Sequence, residues 1–142
     1  MKKSFVNGAI SPEKIATSIA NHQHKTNIGG HAIFLGQVRA DEIEGRVVKA
    51  IEFTAYEALA EHKFEVIRED IFAKYPLVCM HMYHSLGRIG TGEICLFVFT
   101  SSKHRKAAQQ ACDELVERIK AEVPIWGKEI FEDETHQWKE NN

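Results

Sequence analysis

The chain has 142 residues, 44% hydrophobic and 27% charged, with a formal net charge of −2. That length holds one domain with a real core, and the near-balanced charge lacks the Lys/Arg excess on which non-specific nucleic-acid binding depends, so no nucleic-acid partner is expected. No apolar run approaches the roughly 20 residues that span a bilayer, and the opening MKKSFVNGAISPEK has no hydrophobic signal core, so the expectation is a cytoplasmic protein without a membrane partner.

After a short first strand, Ser11-Pro12-Glu13 is a strong helix start, with a capping hydroxyl, a proline at the first helical position and an acid in the first turn. Ile15 and Ile19 supply its apolar stripe. Gly29-Gly30 then breaks the chain before a β-like run over 31–39 that ends in Arg39. A polar loop containing Gly45 leads to a second run, 47–56, with Ile51, Phe53 and Ala55 on one face and Glu52 and Thr54 on the other. These two runs are expected to pair antiparallel. Over 57–75, Ala60, Phe64, Ile67, Ile71 and Tyr75 recur at helical spacing, and Pro76 stops the helix.

A strand is predicted over 77–83. The glycine-rich stretch 87–92 leads into another strand rather than a helix, so it has no phosphate-cradling geometry and reads as a turn. The run 93–100 (EICLFVFT) has the composition of a buried strand, ending at Ser101-Ser102, either of which can cap a helix. Ala108, Ala111, Leu115, Ile119 and Val123 form one face of that helix, and Pro124 ends it. From 125 onward the chain reads as a tail carrying Trp126 and Trp138, either anchors for the tail or interface aromatics. The order predicts an α+β layer structure with a mixed or antiparallel sheet and three main helices.

Cys79, Cys95 and Cys112 are odd in number and widely spaced, which indicates neither a disulfide frame nor a zinc knuckle, and none has a recognisable activating neighbour. Among eight histidines the closest pairs are His22/His24 and His81/His84. The first pair diverges on a helix and the second on a strand, so no metal ligand set emerges.

His104 and Arg105 open the last helix, where free N–H groups, the positive end of the dipole and a planar guanidinium favour phosphate or carboxylate. Two solvated polar residues at a helix start are the plain alternative. Lys120 sits in the last turns, a usual place for a lysine. Sixteen residues of helix separate His104 from Lys120, roughly 24 Å at about 1.5 Å per residue, so one small ligand does not touch both. Either two sites exist, or a symmetric dimer brings the start of one helix to the end of the other.

Four segments then combine: Phe34-Leu35-Gly36-Gln37-Val38-Arg39; Tyr83 to Glu93 (YHSLGRIGTGE); Ser101-Ser102-Lys103-His104-Arg105; and Lys120 followed by Pro124-Ile125-Trp126-Gly127-Lys128-Glu129. In this order and spacing they resemble the MoaE family, the catalytic large subunits of molybdopterin synthase. The resemblance covers a core of 30–131 within one MoaE-like domain of 1–142, leaving a C-terminal tail of 132–142. It implies an α/β hammerhead-type fold and a homodimer within a heterotetramer, with a small ubiquitin-like (MoaD-like) sulfur carrier at each end. The implied activity is a sulfurtransferase of molybdenum cofactor biosynthesis, which needs no metal or other cofactor in this step. Sulfur from the partner's thiocarboxylated Gly-Gly terminus passes in two rounds to cyclic pyranopterin monophosphate, making the molybdopterin dithiolene.

Carried over by position, Arg39, His104 and Arg105 hold the pterin phosphate, the latter two from the neighbouring subunit. Lys120 lies beside the thiocarboxylate. Gln37, Val38, Gly127 and Glu129 complete the walls. The family pattern has lysine directly after Pro-x-Trp, whereas here Gly127 stands there and lysine follows as Lys128. Lys128 is the candidate second catalytic cation, although a one-residue shift along an extended segment turns a side chain to the opposite face. Two further readings remain: an impaired paralogue that binds the small subunit, and a phosphate-ester enzyme using His104 and Arg105 alone.

Overall fold

The computed structural model describes residues 3–139. Local signals set its helices. In α1 (Pro12–Ala20) the Ser11 hydroxyl accepts from the Lys14 N–H at 3.1 Å, as the cap sequence predicts. In α2 (Glu57–Lys74) Ala60, Phe64, Ile67 and Ile71 are buried, and Pro76 lies just past the end. Helix α3 (Arg105–Glu122) buries Ala108, Ala111, Leu115 and Ile119. It starts later than the serines suggest, because His104 is the capping position and supplies no side-chain cap. Ser102 takes that role from inside the preceding strand: its hydroxyl donates to the His104 carbonyl and accepts from the Ala108 N–H at 3.0 Å.

The strands are β1 (Phe5–Asn7), β2 (Gly30–Gln37), β3 (Glu42–Ile43), β4 (Arg46–Ala55), β5 (Leu77–Gly90), β6 (Ile94–Ser102), β7 (Ile125–Phe131) and β8 (His136–Trp138). Their order is β2-β6-β5-β4-β7-β8, with β1 parallel to β5 and β3 paired to β4; every pairing except β1 with β5 is antiparallel. With three helices among the described residues, this is the α+β architecture with a mixed sheet that the segment order predicts.

Three local expectations are corrected. First, β2 and β4 do not pair with each other. β6 is apolar on both faces, so it must be central; it takes β2 on one edge and β5 on the other, while β4 pairs with β5 and β7. Second, 87–92 is mostly strand. β5 bends at Gly87, whose φ of +91° suits glycine, and thereby leaves β6 to pair with β4 through Gly90; only Thr91 and Gly92 form the turn. Third, the described segment 125–139 is not an irregular tail. β7 matches β4 from Val48↔Phe131 to Ala55↔Ile125, and β8 adds to β7. Charges at Lys128, Glu129 and Glu132 hide this strand pattern, and its stability comes from a partner some 80 residues upstream.

Helices α2 and α3 cover one sheet face around Phe64, Ile67, Met80, Val98 and Leu115. The Tyr75 hydroxyl and Lys74 Nζ both reach Glu114, at 2.8 and 2.7 Å, and tie the end of α2 to α3. On the other face α1 lays Ile15 over Phe97 and Phe99. At the start of β2, a Cβ on Gly29 would stand 2.1 Å from the Lys103 carbonyl oxygen, so only glycine lets this strand pass beneath the beginning of α3.

Candidate active site

A cavity of about 570 Å³ opens where the C-terminal end of α3 meets the end of β2 and the strands β4 and β7. A break in the β2–β6 register between Gly36 and Gln37 redirects the chain, so that Gln37, Val38 and Arg39 form one wall. Val38 is itself buried, exchanging backbone hydrogen bonds with Glu93 and Gly92, and serves as a wall rather than a ligand. Arg39 is largely exposed and makes a 3.1 Å surface pair with Asp41, a contact worth at most about 1 kcal/mol, so its guanidinium is readily available to an anion.

Lys120 lines the cavity from the last turn of α3. Gly127 and Glu129 line it from β7, and Glu129 is buried, accepting from Gln137 Nε2 at 3.4 Å. Strand alternation sends Lys128 the other way: it pairs with Glu52 at 3.4 Å, lies 6.0 Å from the centre of the Trp138 ring, and is not in the cavity lining. His104 and Arg105 are exposed at the far end of α3, and they do not reach this cavity within one chain.

Among the lining residues that sequence reasoning did not single out for the site are Phe53, His84, Cys95 and Lys139. The Lys139 N–H donates to the Gly127 carbonyl at 2.8 Å, which fixes Lys139 beside Gly127. Lys120 and Lys139 both act electrostatically on the Cys95 thiol. Burial nevertheless dominates and pushes that thiol up, so Cys95 stays protonated at neutral pH and is no nucleophile. Strand parity does put His84 on the face opposite His81, but nothing in the sequence reports that the face is a cavity wall.

Burial pushes His84 down to about 4, and Lys120 adds to the effect, so the ring is neutral beside the lysine. An unfolded chain takes up this proton near 6.5, so stability is full above about 6.5 and falls as pH drops toward about 4. The expected contribution is on the order of 3 kcal/mol across that window. His84→Gln should flatten the pH dependence by that amount, as measured by urea unfolding at about pH 7 and about pH 4; an unchanged slope would show that His84 is not the titrating group.

The match to known proteins follows this geometry. The family model described as "MoaE protein" matches residues 7–122. The chain belongs to the MoaE family. Relatives of this family named molybdopterin synthase catalytic subunit include one from Pyrococcus abyssi, 37% identical over 117 residues, covering 82% of this chain and 78% of the relative. A rat relative is 36% identical and covers 80% of this chain and 56% of its own, and one from Drosophila willistoni is 39% identical, covering 80% and 31%. The chain thus spans about a third of the fly protein and just over half of the rat protein. Among solved MoaE-type structures, molybdopterin synthase from Staphylococcus aureus superposes with a TM-score of 0.82 at 31% identity, covering 99% of this chain and 98% of that one. A complex of subunits 1 and 2 of the molybdopterin-converting factor from Helicobacter pylori shares the fold, with a TM-score of 0.82 at 22% identity, covering 98% and 90%. No helix among the described residues is long and apolar enough to cross a membrane.

Proposed function

We propose that this MoaE-family chain is the large subunit of a molybdopterin synthase, moving sulfur from the thiocarboxylated end of a small ubiquitin-like partner to cyclic pyranopterin monophosphate. The observation that carries the reading is a cavity served by two ammonium groups, Lys120 and Lys139, whose lone cysteine stays protonated. Such a pocket receives anions, and its sulfur must arrive from outside.

The thiocarboxylate enters along the Gly127 side and its sulfur attacks a side-chain carbon of the pterin, forming a C–S bond as a C–O bond there breaks. The displaced oxygen carries away the negative charge, and water then hydrolyses the resulting thioester, leaving sulfur on the pterin and a carboxylate on the partner. Ammonium groups held in place stabilise the charge as it develops on oxygen. Neutral His84 adds no competing charge beside Lys120. Arg39 meets the substrate phosphate at the rim, together with His104 and Arg105 from a second copy, which accounts for the roughly 24 Å between His104 and Lys120 within one chain. Lys139 takes the role that the family resemblance implied for Lys128. The whole chain, including the segment after 131, acts as one unit.

One observation favours the second reading, a binding module with weak or no turnover: Lys128 is engaged by Glu52 and Gly127 carries no cation. Reconstitution separates the two. Wild-type chain mixed with a thiocarboxylated small subunit and the pterin precursor should yield dithiolene product at a rate comparable to a standard synthase. Tight partner binding without product would support the binding module.

A further inference from the structure

On the sheet face away from α2 and α3, the fold assembles a cluster that neither histidine pair in the sequence anticipates. Cys79 and His81 are two apart on β5 and project to the same side, opposite the core residues Met80 and Met82. The turn after α1 lowers His22 onto them, its Nε2 2.9 Å from His81 Nε2. The three donor atoms lie within 4.8 Å of one another, and His22 and Cys79 are more than nine-tenths buried.

We propose that His22, Cys79 and His81 form a zinc site. The His22 Nδ1 lies 2.6 Å from the Ser18 carbonyl oxygen, which only accepts, so Nδ1 carries the proton and Nε2 presents a lone pair to the cluster. A backbone carbonyl that fixes the tautomer from behind is the usual support of a metal-binding imidazole. Two imidazoles and one thiol suit zinc better than magnesium or calcium. In a tetrahedral zinc site the nitrogens stand about 3.4 Å apart and nitrogen and sulfur about 3.6 Å apart. Reaching that from 2.9 Å between the nitrogens and at most 4.8 Å overall needs small side-chain movements and a shift of the His81 proton from Nε2, where it is donated to His22, to Nδ1. The sulfur already faces a polar contact, since Lys25 Nζ donates to it at 2.8 Å. Zinc releases the thiol proton on binding and displaces this ammonium or keeps it as an outer N–H···S donor.

The site would staple the turn after α1 to β5. It lies across the sheet from the α3 side and shares no residue with the cavity lining, so it is independent of the sulfur-transfer reading.

The test is cobalt(II) and zinc(II) titration of the untagged full chain. One equivalent of cobalt should bind with a thiolate-to-cobalt charge-transfer band that zinc abolishes, and zinc should raise the thermal midpoint. Cys79→Ser should remove the band, and His22→Gln or His81→Gln should weaken zinc binding by more than about tenfold. His24→Gln, an exposed neighbour, should leave it unchanged. The wild-type spectrum decides even if a variant misfolds: absence of the band, or zinc binding equal in wild type and Cys79→Ser, would overturn the site.

Discussion

Lys120→Ala is expected to slow dithiolene formation by about 100- to 1,000-fold, the usual consequence of removing one preorganised group that stabilises developing charge. The fold should tolerate it. Lys120 is exposed in the last turn of α3, alanine is the best helix former, and the lost dipole contact costs about 0.3–1 kcal/mol. Because the charge develops during transfer, the loss should fall on kcat, with affinity for the small subunit changing far less. Lys120→Arg keeps the charge but not the compact ammonium, so it should recover only part of the rate. Near-normal turnover in Lys120→Ala, at unchanged thermal midpoint, would remove this lysine from the chemistry.

Lys139→Ala should slow turnover by at least about tenfold, and Lys128→Ala should leave it close to wild type. The contrast follows from the alternation of β7: Gly127 faces the cavity, Lys128 faces Glu52, and the chain after β8 returns Lys139 to the Gly127 carbonyl. Gly127→Lys is informative in both backgrounds. A Cβ there stands 3.0 Å from Ile51 Cγ2 and 3.2 Å from Phe53 Cε1, so the strands must yield slightly, at a cost of about 1–3 kcal/mol. In wild type it should add no rate, since the second cation is already supplied. In Lys139→Ala it should restore part of what was lost. A silent Lys139→Ala with a damaging Lys128→Ala would return the role to Lys128. A large gain from Gly127→Lys in wild type would instead mark the natural chain as impaired.

Helices were legible in the sequence because their signals are local. The Ser11-Pro12 cap, the stripe from Ala108 to Ile119 and the stops at Pro76 and Pro124 need no knowledge of the rest of the chain. So was the separation between His104 and Lys120, which follows from helical rise alone. Strand partners were not legible. β6 reads as buried, but nothing local says that β2 rather than another strand takes its edge, and β7 is masked by its own charges. The same blindness hid residues brought together from afar, in the cavity and in the histidine–cysteine cluster alike. Lys139 reaches the cavity only because β8 folds back on β7, and His22 meets His81 across 59 residues. The Lys128 side-chain direction was foreseeable from the period of a strand, once 125–131 is known to be one.

The proposed shared site draws Lys120 from one copy of the chain and His104 with Arg105 from the other. Mixed dimers put this to the test. Lys120→Ala and the double variant His104→Ala/Arg105→Ala should each be nearly inactive alone. Co-expressed as mixed dimers, they should recover about a quarter of wild-type activity, because half of randomly formed dimers are mixed and each of those contains one intact site. Dimers that mix freely yet recover no activity would contradict a shared site.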